Sequence, residues 1–154
     1  MTKIAVLGNG SWGSVLGSML ADNGNDVVLY GNIESVNDEI NATHTNSHYM
    51  KDWKLNENTR ATGDLEEALD GAEGVLFVLP TKAVRIVAKN VREILDKSGA
   101  KPLLVTATKG IEPGTKKLIS EILTDEIYPN DEDKIVAISG PSHAENVAQK
   151  DLTI

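Results

Sequence analysis

The sequence predicts an α/β fold, doubly wound around a mostly parallel sheet. Two observations carry this. Short apolar runs alternate with amphipathic segments along the chain, and the first apolar run ends in a glycine-rich turn that opens a helix. Lys3–Leu7 (KIAVL) reads as a buried parallel strand. A helix is expected over 11–23, with Trp12, Val15, Leu16, Met19 and Leu20 on one face and Gly24 just past its end. Asp26–Tyr30 (DVVLY) is a second strand, broken by Gly31 and Asn32, and 33–42 is a helix. Residues 43–60 are polar and Asn-rich and read as irregular. Leu65–Leu69 is a short helix with Asp64 as N-cap. A buried strand over 74–79 stops at Pro80, and a helix over 81–97 turns Val84, Val87, Ala88, Val91, Ile94 and Leu95 inward. Leu103–Thr106 is a strand. A helix over 115–128 faces in with Leu118, Ile119, Ile122 and Leu123. A strand over 134–139, a helix over 141–149 and a strand beginning at 151–154 complete the pattern. Right-handed crossovers place the helices on both faces of the sheet.

The 154 residues suffice for one domain with a sizeable core, or for part of a larger protein. A sequence that stops as a strand begins is expected to be a fragment. No apolar run approaches the roughly 20 residues of a membrane helix, and Ile4–Leu7 is too short for a signal-peptide core. A cytoplasmic protein is the expectation. The absence of Cys removes disulfides, thiolate nucleophiles and Cys–zinc sites from consideration. A net charge of −8 without a Lys/Arg block argues against a nucleic-acid surface.

Between the first strand and the first helix stands G8-N-G10-S-W-G13. Gly8 permits a sharp turn, Gly10 leaves the backbone open to a pyrophosphate, and Gly13 lets the helix pack close to the strand. The helix N-terminus then offers free N–H groups and partial positive charge, with the Ser11 hydroxyl beside them. By pattern alone, Trp12 fills the first helical turn. An acidic residue that would bind the ribose is expected about 20 residues on, at the end of the second strand. Tyr30-Gly31-Asn32-Ile33 stands there instead, with no carboxylate before Glu34 and no Arg for a 2′-phosphate. Asn32 is either a donor to the dinucleotide or a strand-ending turn residue, and NAD and NADP both stay open.

Ligands of open parallel sheets collect at the carboxyl ends of strands. Three further stretches fall at such ends. LPTKA (79–83) is read first as a cap by Thr81 and second as a cofactor lining. TATKGIEP (106–113) carries Lys109, which either faces the crevice to hold a phosphate or polarise a carbonyl, or is a solvated loop lysine. SGPSHAENVA (139–148) offers Gly140, the Ser142 hydroxyl and a Pro suited to a first helical position. His44 and His48 lack a supporting carboxylate pattern for a metal, and Ser142 lacks a nucleophile elbow.

Together, GNGSWG at 8–13, LPTKAVR at 79–85, TKGIEP at 108–113 and SGPSHAENVA at 139–148 resemble, in order, the motifs of bacterial NAD(P)-dependent glycerol-3-phosphate dehydrogenases. The resemblance covers the whole chain. It implies a Rossmann-like NAD(P)-binding domain over 1–154, with a helical substrate domain to follow. It implies that Ser11, Trp12, Tyr49 and Ala144 lie at the dinucleotide, Lys109 at both dinucleotide and substrate, and Gly140 and Ser142 at the substrate. Asn32 and Ile33 stand where many members carry a basic pair, so a strong NADPH preference is not expected. The implied reaction is hydride transfer between NAD(P)H and dihydroxyacetone phosphate to give sn-glycerol 3-phosphate for glycerophospholipids, in a cytoplasmic homodimer. The lysine that moves the proton is expected beyond this chain. Lys109 is then the charge-stabilising group, and the chain alone should bind dinucleotide weakly without turnover. A related reductase of another oxo or hydroxy acid would share the glycine turn but not SGPSHAE. A dinucleotide-sensing domain would have no use for Lys109 and Ser142.

Overall fold

A computed structural model describes residues 1–140 and 142–151. In chain order its elements are β1 (Lys3–Leu7), α1 (Ser11–Asp22), β2 (Asp26–Tyr30), α2 (Glu34–Thr43), β3 (Thr45–Asn46), β4 (Met50–Lys54), β5 (Thr59–Thr62) and α3 (Leu65–Leu69). Next come β6 (Gly74–Phe77), α4 (Thr81–Ser98), β7 (Leu103–Thr106), α5 (Ile119–Glu126), β8 (Ile135–Ala137) and α6 (Ala144–Ala148). Six strands form one sheet in the order β5-β2-β1-β6-β7-β8, and every pairing in it is parallel. The chain winds outward from β1 to β5, then returns beside β1 as β6 and winds the other way. The reversal leaves a crevice beyond the carboxyl ends of β1 and β6.

Each face of the sheet carries its own core. On one side Leu7, Val75, Phe77 and Leu104 pack against Leu69 of α3, Val84, Ala88, Val91 and Leu95 of α4, and Ile119, Ile122 and Leu123 of α5. On the other, Val6, Val27, Leu29 and Leu76 meet Ala21 of α1 and Val36 and Ile40 of α2. The central strands are therefore apolar on both faces, as their unbroken apolar runs require. Asp64 caps α3, its carboxylate accepting from the N–H groups of Glu66 and Glu67.

Several expectations are corrected. Residues 43–60 are not irregular: β3 and β4 form an antiparallel hairpin, and Thr59 opens β5, an edge strand paired with β2. Of the face expected on α1, Val15 is buried and Trp12, Leu16 and Leu20 are half-buried against the core, but the small residues lie deeper. Gly13, Ser14, Gly17, Ser18 and Ala21 face in with Val15, and Met19 is exposed. The small stripe lets α1 lie close to the sheet: a Cβ on Gly17 would stand 2.6 Å from Leu29 Cδ2. α5 starts at Ile119 rather than 115, because Gly114 and Lys116 take positive φ and Ile111 bridges to Leu118. Leu118 is consequently exposed. Thr81 makes no cap bond; Pro80 holds the N-cap position of α4. α6 starts at Ala144, not 141. Pro141 and the strand expected from 151 fall wholly or mostly outside the described residues.

Candidate functional site

A cleft of about 680 Å³ lies over the carboxyl ends of β1, β2, β6 and β7. Its floor is the glycine loop. Gly8 has φ +119°, and a Cβ there would stand 2.2 Å from the Val78 carbonyl oxygen. A Cβ on Gly13 would stand 1.8 Å from the Gly8 carbonyl oxygen. These two glycines are required by the protein's own packing. Gly10 differs, since among the described residues no atom beyond its chain neighbours lies within 4 Å of the place its Cβ would take. Its missing side chain leaves open space on the cleft side of the backbone. α1 begins there without a side-chain cap and without an acidic residue in its first turn. Its first amides and the positive end of its dipole are left to whatever enters the cleft. The cradle therefore fits a diphosphate.

A buried carboxamide network holds this floor, and the sequence reading missed it. Asn9 donates to Asn37 Oδ1 at 2.8 Å, and Asn37 donates to the Gly31 carbonyl at 2.8 Å. Asn46 donates to the Asn9 carbonyl at 2.8 Å and to Ser14 Oγ at 2.9 Å. The glycine loop, the end of β2 and the β3–β4 hairpin are thereby joined. A usable signal was present: Asn37 sits beside Val36 and Ile40 on the inward stripe of α2, and a polar residue in such a stripe needs partners. Asn37→Leu strands the Asn9 amide and the Gly31 carbonyl. It is expected to cost about 3 kcal/mol, read from the urea midpoint.

The other predicted residues stand around this floor. Ser11, Trp12, Asn32, Tyr49, Lys109, Ser142 and Ala144 all line the cleft. Asn32 sits in the turn after β2, and Tyr49 in the β3–β4 turn with its ring edge-on to His48. Ala144 is buried at the start of α6 in a small cluster with Val15, against which Trp12 packs. The Trp12 Nε1 is buried without a hydrogen-bond partner among the described residues. Gly140 is exposed and outside the lining, in the loop that leads to Ser142.

Lys109 is the convergence point. Its ammonium donates to the Ser142 carbonyl, lies 3.4 Å from Ser142 Oγ and stands 5.6 Å from the Trp12 ring centroid. Lys109 thus reaches over the crevice while its side chain stays exposed. An ammonium has three donors, and Ser142 does not exhaust them. Beneath Lys109, Thr108 is fixed to the end of β6: its hydroxyl donates to the Phe77 carbonyl at 3.2 Å and accepts from the Leu79 N–H at 3.1 Å.

On the far side of the same loop, Arg85 of α4 grips Glu112 with two hydrogen bonds of 2.7 Å and also pairs with Glu126 of α5. Asp125 lies 3.9 Å from Arg85 and pairs with Lys117. The Arg85 guanidinium, then the Thr115 hydroxyl and the Arg85 and Lys117 charges, hold the Glu112 carboxyl at about 2, down from 4.5. A carboxyl depressed in the native state contributes stability above its unfolded value and loses it as the pH falls through its native value. Between pH 4.5 and 2, the native chain should therefore lose stability more steeply than Glu112→Gln. Urea unfolding across that range checks this.

The family model described as the NAD-dependent glycerol-3-phosphate dehydrogenase N-terminus matches residues 3–154. A Lactobacillus acidophilus protein named glycerol-3-phosphate dehydrogenase, NAD(P)+, is 99% identical over 153 residues, which are 99% of this chain and 45% of that protein. A Pediococcus pentosaceus protein of the same name is 52% identical, again over 99% of this chain and 45% of its own length. The chain thus spans about half the length of these curated relatives. The crystal structure of a glycerol-3-phosphate dehydrogenase from Coxiella burnetii superposes with a TM-score of 0.83 at 32% identity, covering 96% of this chain and 43% of that one. A lactate dehydrogenase from Cryptosporidium parvum, at 19% identity, shares the fold with a TM-score of 0.64, over 90% of this chain and 43% of its own.

Proposed function

This chain belongs to the family of NAD-dependent glycerol-3-phosphate dehydrogenase N-terminal domains, and from that premise we propose that it binds NAD(P)H for the reduction of dihydroxyacetone phosphate to sn-glycerol 3-phosphate, or the reverse. The observation that carries the reading is the meeting of Lys109, Trp12 and Ser142 over a glycine loop with an open place at Gly10.

The dinucleotide, when bound, supplies the hydride. The chain's own residues seat the dinucleotide and place the charge. The first-turn amides of α1 and the bare backbone at Gly10 seat the diphosphate. Tyr30, Asn32 and Tyr49 line the cleft around it. The Lys109 ammonium, steadied by Ser142, stands ready to stabilise negative charge on the substrate carbonyl oxygen as it develops. Proton transfer falls to a group outside these 154 residues, in the helical substrate domain that the family resemblance implies. The same resemblance supports a cytoplasmic homodimer that supplies glycerophospholipid synthesis. A sensing domain without catalysis is disfavoured because Lys109 and Ser142 share the cleft with the glycine loop.

Titration of the chain with NADH and NADPH, followed by tryptophan fluorescence, tests the reading. Saturable binding of NADH is expected, with no gain for NADPH. Around the cleft the described lining carries no Arg and no Lys other than Lys109, and Asn32 stands at the end of β2. Dihydroxyacetone phosphate should not be reduced by the chain alone. No binding of either dinucleotide, or turnover by the chain alone, would contradict it.

A further inference from the structure

The motifs LPTKAVR and TKGIEP each contain a charged residue to which the sequence assigns no role, Arg85 and Glu112. The structure joins them. We propose that Arg85 and Glu112 are positioning residues: their ion pair, shared with Glu126, holds the loop after β7 so that the Lys109 ammonium stays over Trp12 and beside Ser142.

Lys109 does not hold itself in place. It is an exposed lysine with a flexible four-carbon stem, and a contact made by such a side chain alone is opposed by its rotamer entropy. Its backbone must therefore be set from both sides. Upstream, the Ala107 N–H donates to the Phe77 carbonyl at 3.0 Å, and Thr108 is bonded to the same strand end. Downstream comes Gly110 at φ +111°, a residue that by itself fixes little. Two residues further on, Glu112 is the first anchor. Arg85 meets it with a two-pronged grip, and its remaining nitrogen reaches Glu126. The Glu112 backbone closes the loop on itself, its N–H donating to the Lys117 carbonyl and its carbonyl accepting from Lys116. The Arg85, Glu112 and Glu126 side chains are only 25%, 12% and 18% exposed. Such partial burial and planar geometry suit Arg and not Lys. Loss of the pair leaves Glu112 and Glu126 without their shared cation and frees the loop at the glycine.

The positional half of this proposal concerns the chain without any ligand. Its catalytic half rests on the reading of Lys109 given above. The test separates them. In a Trp53→Phe background, Trp12 is the remaining tryptophan of the two, and a nearby ammonium favours its quenching by iodide over caesium. Lys109→Met should lower the iodide-to-caesium ratio of quenching constants at least twofold. Glu112→Gln and Arg85→Lys, each retaining its circular dichroism, should reproduce at least half of that fall. In the full-length enzyme both should lower kcat about tenfold with KM for NADH within twofold. A wild-type ratio in both variants, or no response to Lys109→Met, overturns the proposal. A full-length enzyme that leaves dihydroxyacetone phosphate unreduced overturns the functional reading instead, while the quenching result decides the positional claim by itself.

Discussion

Lys109→Ala in the full-length enzyme is expected to lower turnover of dihydroxyacetone phosphate by about a hundredfold or more. The lysine is exposed, so its removal should change stability by no more than about 0.5 kcal/mol. The loss is one of charge placed in advance. An ammonium aimed at a developing oxyanion contributes roughly as much as an oxyanion-hole donor, whose deletion costs about 10²–10³ in rate. Lys109 also stands beside Ser142 before any ligand enters. The pattern of the loss matters as much as its size. A group that acts on the substrate carbonyl should lower kcat far more than it weakens NADH. Lys109→Arg should recover only part of the rate, because a planar guanidinium does not reproduce a compact point charge. Steady-state kinetics within a few-fold of wild type would remove Lys109 from this role.

Gly13→Ala is expected to have the largest effect on the domain itself. The added Cβ would lie 1.8 Å from the Gly8 carbonyl oxygen, a backbone atom that cannot turn aside. Either α1 lifts off the glycine turn or the turn opens. Both separate the helix N-terminus from the end of β1, where the cleft is built. Ser14 would move with Gly13, and its hydroxyl is bonded to the Asn9 carbonyl and to Asn46. A loss of about 3 kcal/mol is expected, with NADH affinity lower by about a hundredfold from displaced donors. Thermal unfolding and a dinucleotide titration measure the two effects. Gly24→Ala, at φ +85° with open space around it, should cost about 1 kcal/mol and leave affinity untouched, since it lies at the other end of α1.

The sheet was legible where strands are buried on both faces. KIAVL, DVVLY and LLVT coincide with β1, β2 and β7, because their middle residues are covered on both faces and form short apolar runs, with Lys3, Asp26 and Thr106 at the ends. β5 was not legible. As a four-residue edge strand it turns Thr59 and Ala61 inward and Arg60 outward, a pattern indistinguishable from a polar loop. α5 starts later than its spacing predicts, because helical spacing continues through Leu118 while the backbone at Gly114 and Lys116 forbids it. Likewise, the inward face of α1 was read from large residues. Close approach to the sheet instead selects the small ones. The glycine cradle is readable because strand-end motifs converge in this topology, whereas Trp12, Lys109 and Ser142, which line the same cleft, are assigned to the site only by the family resemblance. What holds them was not readable. The Asn9–Asn37–Asn46 network and the Arg85–Glu112 pair join residues 27 to 37 positions apart; the inward place of Asn37 shows that it needs a partner but not which one, and spacing alone does not pair Arg85 with Glu112.

The measurement that bears most directly on the whole account is the dinucleotide affinity of Gly10→Ala. A methyl group at residue 10 meets no atom of the described residues within 4 Å beyond its chain neighbours, so thermal unfolding should match wild type to within about 0.5 kcal/mol. If a diphosphate sits against this backbone, the methyl group occupies its place, and NADH should bind at least tenfold more weakly to a fully folded chain. Wild-type affinity in that folded variant would show that the dinucleotide, if it binds at all, does not use the glycine loop.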